Sequence, residues 1–452
     1  MSMLTGPILP TLLRLALPNV LAMASATAVG IAETAYIGQL GLTPLAAMAL
    51  VFPFAMLMQM FSAGAMGGGI SSAISRALGA KDQARAETLA LHAALIGGSC
   101  GLFFMVLFIA FGHVFYAALG GQGAVLAEAT RYGMVLFVGV VGVWLTNSFS
   151  SVLRGSGDMR TPSTVILAAS AMQIVLGACL GLGLGPFPRL GMPGVALGSV
   201  LAFTGAAIYL AHRLMRADAR VRLHWRGVKL QKAMFFDILK VGGLACLSPL
   251  QSVATVILIT ALVARTGVEA LAGYAIGSRL EFLLIPIAFG IGVAAVPMVG
   301  MAIGAGDVTR ARRVAWTSGA VSAVMLAVVG LVVTVAPNLW SGMFTQQQGV
   351  LDAAARYLRS AGPAFPFFGL GLTLYFASQG SGKVLGTVLA GTARFLVVLG
   401  FGLWLGANGA SDTAMFLLVG GAMVVYGIAS VIAIYVTPWG PPRAAVTKPA
   451  AA

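Results

Sequence analysis

From residue 12 to residue 39 the chain carries only two charges, Arg14 and Glu33, and apolar stretches of this kind recur along its whole length. A helix that crosses about 30 Å of hydrocarbon needs about 20 mostly apolar residues, and the pattern predicts twelve such spans. They run over residues 12–39, 45–78, 89–119, 129–153, 162–185, 193–214, 237–264, 270–303, 314–336, 353–378, 384–406 and 412–436. With 59% hydrophobic and 9% charged residues, a chain of 452 cannot dress the surface of a soluble globule. The expected class is therefore all-α and polytopic, with the lipid bilayer as its solvent. The 59 glycines are scattered through the spans, as in helices that pack closely and break locally. The first span is too long for a secretory leader and has no small-residue cleavage site.

Charge orients the chain. If the first loop faces away from the cytoplasm, the inward segments collect Arg14, Arg76, Lys81, Arg85, Arg154, Arg160, Arg310, Arg312, Arg313, Lys383, Arg443 and Lys448. They also collect the run "HRLMRADARVRLHWRGVKLQK" at 212–232, with seven Lys or Arg against one Asp. The positive-inside rule then makes both termini and that central run cytoplasmic. The net charge of +15 is mostly topology, and no nucleic-acid partner is expected. Cys100, Cys179 and Cys246 fall inside spans without metal-ligand spacing and read as packing residues. No phosphate-cradling G-x-x-x-x-G-K-[ST] loop occurs, so nucleotide hydrolysis is not an expected energy source.

The two halves repeat. "GLTPLAAMAL" from Gly41 matches "GVEALAGYAI" from Gly267; "GAKDQARA" from Gly79 matches "GAGDVTRA" from Gly304; "RGSGD" from Arg154 matches "QGSGK" from Gln379. The offset spans six helices, so both copies enter the membrane in the same direction. This predicts two six-helix lobes, residues 1–211 and 237–438, joined by a basic linker at 212–236 and followed by a tail at 439–452. Parallel repeats of this type occur in secondary transporters that bind substrate between lobes and alternate access by rocking. Duplication kept only for assembly, as in a channel or scaffold, is the competing reading.

"LRGSGDMRTP" at 153–162 resembles the loop after the fourth helix of the multidrug and toxic compound extrusion (MATE) transporters. "LALPN" and "ETAYIGQLG" are similar to that family's first helix, "ALGAKDQARA" to its second-to-third loop, and "LGMPGVALGSVLA" to the start of its sixth helix. "GSRLEFLLIPIAFGIGVAAVPMVGMAIGAGD" is similar to its eighth. The resemblance covers residues 12–438 in order. It implies a polyspecific exporter of organic cations and amphiphiles, driven by inward H⁺ or Na⁺, with a central cleft, no cofactor and no enzymatic activity; a monomer is expected. Within the signature, the glycines suit positive φ at a helix end and Asp158 suits free amides beyond them. Arg154 and Asp158 read as groups that shape and close the cytoplasmic face.

Glu33 is the residue that an apolar span least tolerates. An ionised carboxylate at membrane depth costs at least a few kcal/mol and needs a partner, a wet cavity or protonation. One reading makes it the coupling acid of an H⁺ antiporter; the other lets it snorkel to the outer interface. In the family the matching position is usually Asp. One prokaryotic branch adds a fifth-helix Asp four residues after an Asn, and this sequence has Gln173 and Gly177 there; a sixth-helix Thr is matched by Ser199. The amide and hydroxyl survive and the second carboxylate does not, which favours H⁺ over Na⁺, a cation that prefers several oxygen ligands.

In the second half, Arg279 and Glu281 lie two residues apart, about 200° around a helix, so they do not pair with each other. Glu281 reads as a second ion site, a cation-binding acid, or the partner of Arg394. A seventh-helix Glu of another branch aligns near Gln251. Asp237, beside Lys240, reads as a surface or helix-start acid. Planar cations call for rings and adaptable polar groups around the cleft, for which Tyr36, Trp144, Asn147, Gln251, Tyr274, Arg279, Tyr375 and Gln379 are candidates; each has packing as its alternative. Pro18, Pro53, Pro286 and Pro297 predict bends. A flippase for lipid-linked sugars is the runner-up function, although its relatives generally have two more helices and a charge-lined cavity.

Overall fold

The computed structural model describes residues 3–224 and 229–440. Arg226 of the basic run and Arg443 and Lys448 of the tail lie outside the described residues. Within the described residues every regular element is helical. The first half comprises α1 (Ile8–Leu40), α2 (Leu42–Gln59), a π-helical turn (Met60–Met66), α3 (Gly67–Gly79), α4 (Gln83–Ala118), α5 (Gly123–Val138), α6 (Val140–Ser156), α7 (Arg160–Leu182) and α8 (Met192–Met215). The second comprises α9 (Lys232–Ala245), α10 (Leu247–Ala264), α11 (Val268–Gly304), α12 (Val308–Val335), short α13 (Asn338–Ser341), α14 (Gln348–Ala361), a 3-10 turn (Gly362–Ala364), α15 (Phe365–Ser381), α16 (Leu385–Ala407) and α17 (Asp412–Val436). Eleven runs, counting α2–α3, α5–α6 and α9–α10 as one each, are long and apolar enough to cross a membrane. The twelfth crossing is α14 with α15, interrupted at Gly362–Ala364; Asp352, Arg356 and Arg359 make α14 too polar to read as a single apolar run.

Helix ends in the two halves are built alike. The Asp82 carboxylate accepts the Arg85 amide at 3.0 Å to start α4, and Asp307 accepts the Arg310 amide at 2.8 Å to start α12. Gly157, at φ 96°, ends α6, and Gly382, at φ 77°, ends α15; a side chain disfavours this left-handed conformation. Asp158 then accepts the Thr161 amide at 3.0 Å and its hydroxyl at 2.6 Å, the capping role expected of it.

The lobes meet on the face that carries the basic loops. A Cβ at Gly79 would lie 2.2 Å from the Met301 carbonyl oxygen, and one at Gly304 would lie 2.0 Å from that of Arg76. These contacts are exchanged by the 225-residue repeat, so α3 and α11 cross on its two-fold axis, backbone against backbone. Ser72 Oγ donates to the Gln379 carbonyl at 2.5 Å across the same seam. Such close approach supplies the dispersion contacts that hold helices together where lipid removes the usual hydrophobic drive.

Each lobe's first helix starts on the opposite lobe. The early part of α1 packs Leu12 and Ala16 against Ile291, Ala294 and Ala295 of α11, and Arg310 Nη2 donates to the carbonyls of Met3 at 3.0 Å and Gly6 at 2.6 Å. In the mirror arrangement, Gly242 of α9 packs on Gly69 of α3, and Asp237 pairs with Arg76 at 2.5 Å and Arg85 at 2.9 Å. Asp237 is therefore not a surface or helix-start acid: the first turns of α9 lie on the first lobe, where two arginines face it. The linker is tied to that lobe as well. Arg220 Nη1 donates to the Ser156 carbonyl at 2.5 Å, and the buried His92 ring accepts the Gln231 amide at 3.0 Å.

Candidate coupling and substrate sites

Beyond Val20, which touches Gly290 of α11, helix α1 turns to its own lobe and packs on α7. Ser25 and Ser170 are 3.0 Å apart, and two turns later Gln173 Nε2 donates to Glu33 Oε1 at 2.8 Å. Glu33 is 9% exposed, so its side chain turns into the lobe and does not snorkel outward. The hydrogen bond is the partner that an acid in an apolar span requires. Tyr36, one turn on, is buried on the same side. Its hydroxyl has no hydrogen-bond partner among the described residues and points at Gly177, where a Cβ would come within 2.6 Å of it. The phenol thus occupies the space that a side chain at Gly177 would need. A Cβ at Gly198 would in turn fall 2.4 Å from the Gly177 nitrogen, so α7 and α8 lie too close there for side chains. Ser199 is buried on α8 but makes no hydrogen bond to the Glu33–Gln173 pair.

The acid of the other lobe has a different partner from those expected. Tyr357 of α14 donates a short hydrogen bond to Glu281 Oε1. Glu281 forms no ion pair with Arg394 among the described residues. The Arg394 guanidinium lies over the rings of Phe368 at 5.4 Å and Tyr426 at 5.8 Å, because the aromatic faces of α15 and α17 reach it first. Arg279 is exposed and sits over Phe344 at 5.6 Å, well turned from Glu281. Tyr274 packs edge-on against Tyr357 with centroids 5.3 Å apart, so it supports the ring that holds Glu281. Tyr357 escaped sequence reasoning because nothing in "AARYLRSAG" signals which acid of α11 it will face; Gly277, whose Cβ would collide with that ring at 2.1 Å, was the available trace.

Several substrate candidates are committed to packing. Asn147 Nδ2 donates to Ser62 Oγ at 2.8 Å and Gln59 Oε1 at 3.3 Å, which clamps α6 to the π-helical turn. Trp144 stacks on Phe104 at 5.5 Å. Tyr375 donates to the Ala245 carbonyl at 3.0 Å, and Gln379 is fully buried on the inter-lobe seam against Gly68. Gln251 is half-buried; its Nε2 donates to Thr392 at 2.8 Å while its Oε1 lacks a partner among the described residues. The structure thus brings Glu33, Tyr36 and Gln173 together in one lobe and Tyr274 with Glu281 in the other, while Tyr375 and Gln379 neighbour each other on α15.

The chain and its fold have known counterparts. The MatE family model matches residues 18–179 and 246–404, once in each lobe. The chain is 27% identical over 329 residues to the FAD transporter of Shewanella oneidensis, covering 69% of each chain. It is 26% identical over 385 residues to the probable multidrug resistance protein NorM of Thermotoga maritima, covering 83% of this chain and 80% of that one. Its fold superposes on a MOP superfamily transporter from Pyrococcus furiosus with a TM-score of 0.87, at 21% identity and with 96% of both chains covered. With two matched repeats in two six-helix lobes, the chain belongs to the MatE family, the multidrug and toxic compound extrusion transporters.

Proposed function

We propose that the protein exports organic cations and other amphiphiles across the bacterial inner membrane in exchange for H⁺, alternating access between its lobes. The observation that carries this reading is the buried Glu33 carboxylate with Gln173 as its hydrogen-bond partner. A neutral amide satisfies the acid whether or not it carries a proton, so the site can load and release H⁺ without losing its geometry. Gly177, filled over by Tyr36, offers no second carboxylate for Na⁺. With the basic loops cytoplasmic, the seam of α3 on α11 closes the cytoplasmic side and the first lobe's acid is loaded from outside.

Counter-transport in sealed proteoliposomes tests this. Substrate accumulating against its gradient under an imposed pH difference, unchanged when choline replaces Na⁺, supports H⁺ antiport; passive equilibration sinks it in favour of a channel. A second substrate class comes from the FAD transporter among the relatives. Arg394, flanked by two rings and with its Nε unpartnered among the described residues, suits an anionic flavin, so FAD belongs in the panel beside cations.

A further inference from the structure

The Arg154 guanidinium is enclosed by protein yet faces no counter-charge. The residue is 2% exposed, and its side chain makes no hydrogen bond or ion pair among the described residues. All twelve acids of the chain lie within the described residues, and none comes within 4 Å of it. Arginine does not shed its charge in proteins, and an ion buried without a partner is strongly destabilising.

Arg154 lines a small cavity between the lobes. Gly68, Ser71 and Ser151 join it from the first lobe, Val296 and Phe376 from the second. The cavity volume is about 10 Å³, room for one species of about water size. Ser71 Oγ is buried without a partner among the described residues, whereas Ser151 already donates to the Asn147 carbonyl at 2.7 Å. The cavity therefore offers a full positive charge and a free hydroxyl donor, and no carboxylate.

We propose that this cavity is a binding site for one monovalent anion of chloride size, held by Arg154 and Ser71. A water molecule fits the space but leaves the charge uncompensated. Because walls come from both lobes, the site exists only while the lobes are closed on the basic face, and the anion is a ligand of that state. The assignment is independent of which substrate or coupling ion the transporter moves.

The test is thermal unfolding of the purified full chain in detergent, with chloride exchanged for gluconate at constant ionic strength. The wild type should gain stability saturably with chloride or bromide, by on the order of 2 °C or more at saturation. Arg154→Met should show no chloride dependence and be no less stable than wild type in gluconate. Ser71→Ala, which leaves the charge in place, should raise the half-saturating chloride concentration about tenfold. A bromide-soaked crystal should show anomalous density in the cavity. A wild type indifferent to halide, a chloride response unchanged by Arg154→Met, or a cavity without bromide density overturns the proposal. Should Arg154→Met fail to fold, the Ser71→Ala titration and the bromide density decide.

Discussion

Arg85 and Arg310 occupy equivalent places in the two repeats, and each grips the start of the other lobe's first helix. Arg85 reaches the Asp237 carboxylate of α9, and Arg310 reaches backbone carbonyls ahead of α1. In both cases an aspartate three residues earlier accepts the arginine's own amide, so the helix cap also aims the side chain. The pair forms two related clasps over the basic end of the seam.

Asp237→Asn removes the charge that Arg76 and Arg85 share. The Arg76 and Asp237 side chains are about one-fifth exposed, so the loss is about 1.4 kcal/mol or more, a tenfold shift toward lobes separated on that face. Labelling of a cysteine placed at Ser381, in a chain lacking Cys100, Cys179 and Cys246, should accelerate about tenfold in the variant. Equal rates would show that the clasp does not set the conformational balance.

Gly177 and Tyr36 should behave as a coupled pair. Gly177→Ala forces a methyl toward the phenol and should cost about 1–3 kcal/mol of stability. Tyr36→Phe removes an unpaired hydroxyl and should be close to neutral alone. The double variant should recover most of the loss, and a thermal-unfolding cycle reads this directly.

Glu33→Gln keeps an oxygen for the Gln173 amide and removes the proton site. Folding and substrate binding should persist, while substrate accumulation driven by a pH gradient falls to background. Retained pH-driven accumulation in this variant would remove Glu33 from the coupling path.

Tyr357→Phe withdraws the donor that holds Glu281. A hydrogen bond to a charged acceptor contributes about 1.5–3 kcal/mol, so the variant should unfold at lower temperature. Glu281→Gln in the Tyr357→Phe background should restore stability if the loss is that of an orphaned acid. No restoration would place the tyrosine's contribution in ring packing against Tyr274 and Phe416.

What could be read from the residues alone divides along a physical line. The spans, the duplicated halves and the family were legible because membrane thickness and repeat spacing are written locally in the chain. Glu33 stood out because an acid in an apolar run has few permissible roles. Contacts between lobes were not legible: Asp237 looked like a helix-start acid because its arginines are 152 and 161 residues away in sequence. Glu281 reads as a second ion site, a cation-binding acid or the partner of Arg394, and nothing in the residues reveals that Tyr357 holds it while two aromatic faces hold Arg394. The unpaired state of Arg154 was invisible for the same reason, since a missing contact has no sequence signature.

The reciprocal approach of Gly79 to Met301 and Gly304 to Arg76 bears on how fast the transporter can turn over. Main chain rests on main chain at these two points, so no side chain interlocks there, and the side-chain contacts between the lobes lie elsewhere on the seam. A single methyl on either glycine would act as a doorstop. Because symmetry gives the hinge line two such points, Gly79→Ala and Gly304→Ala should each leave the molecule ajar on its basic side.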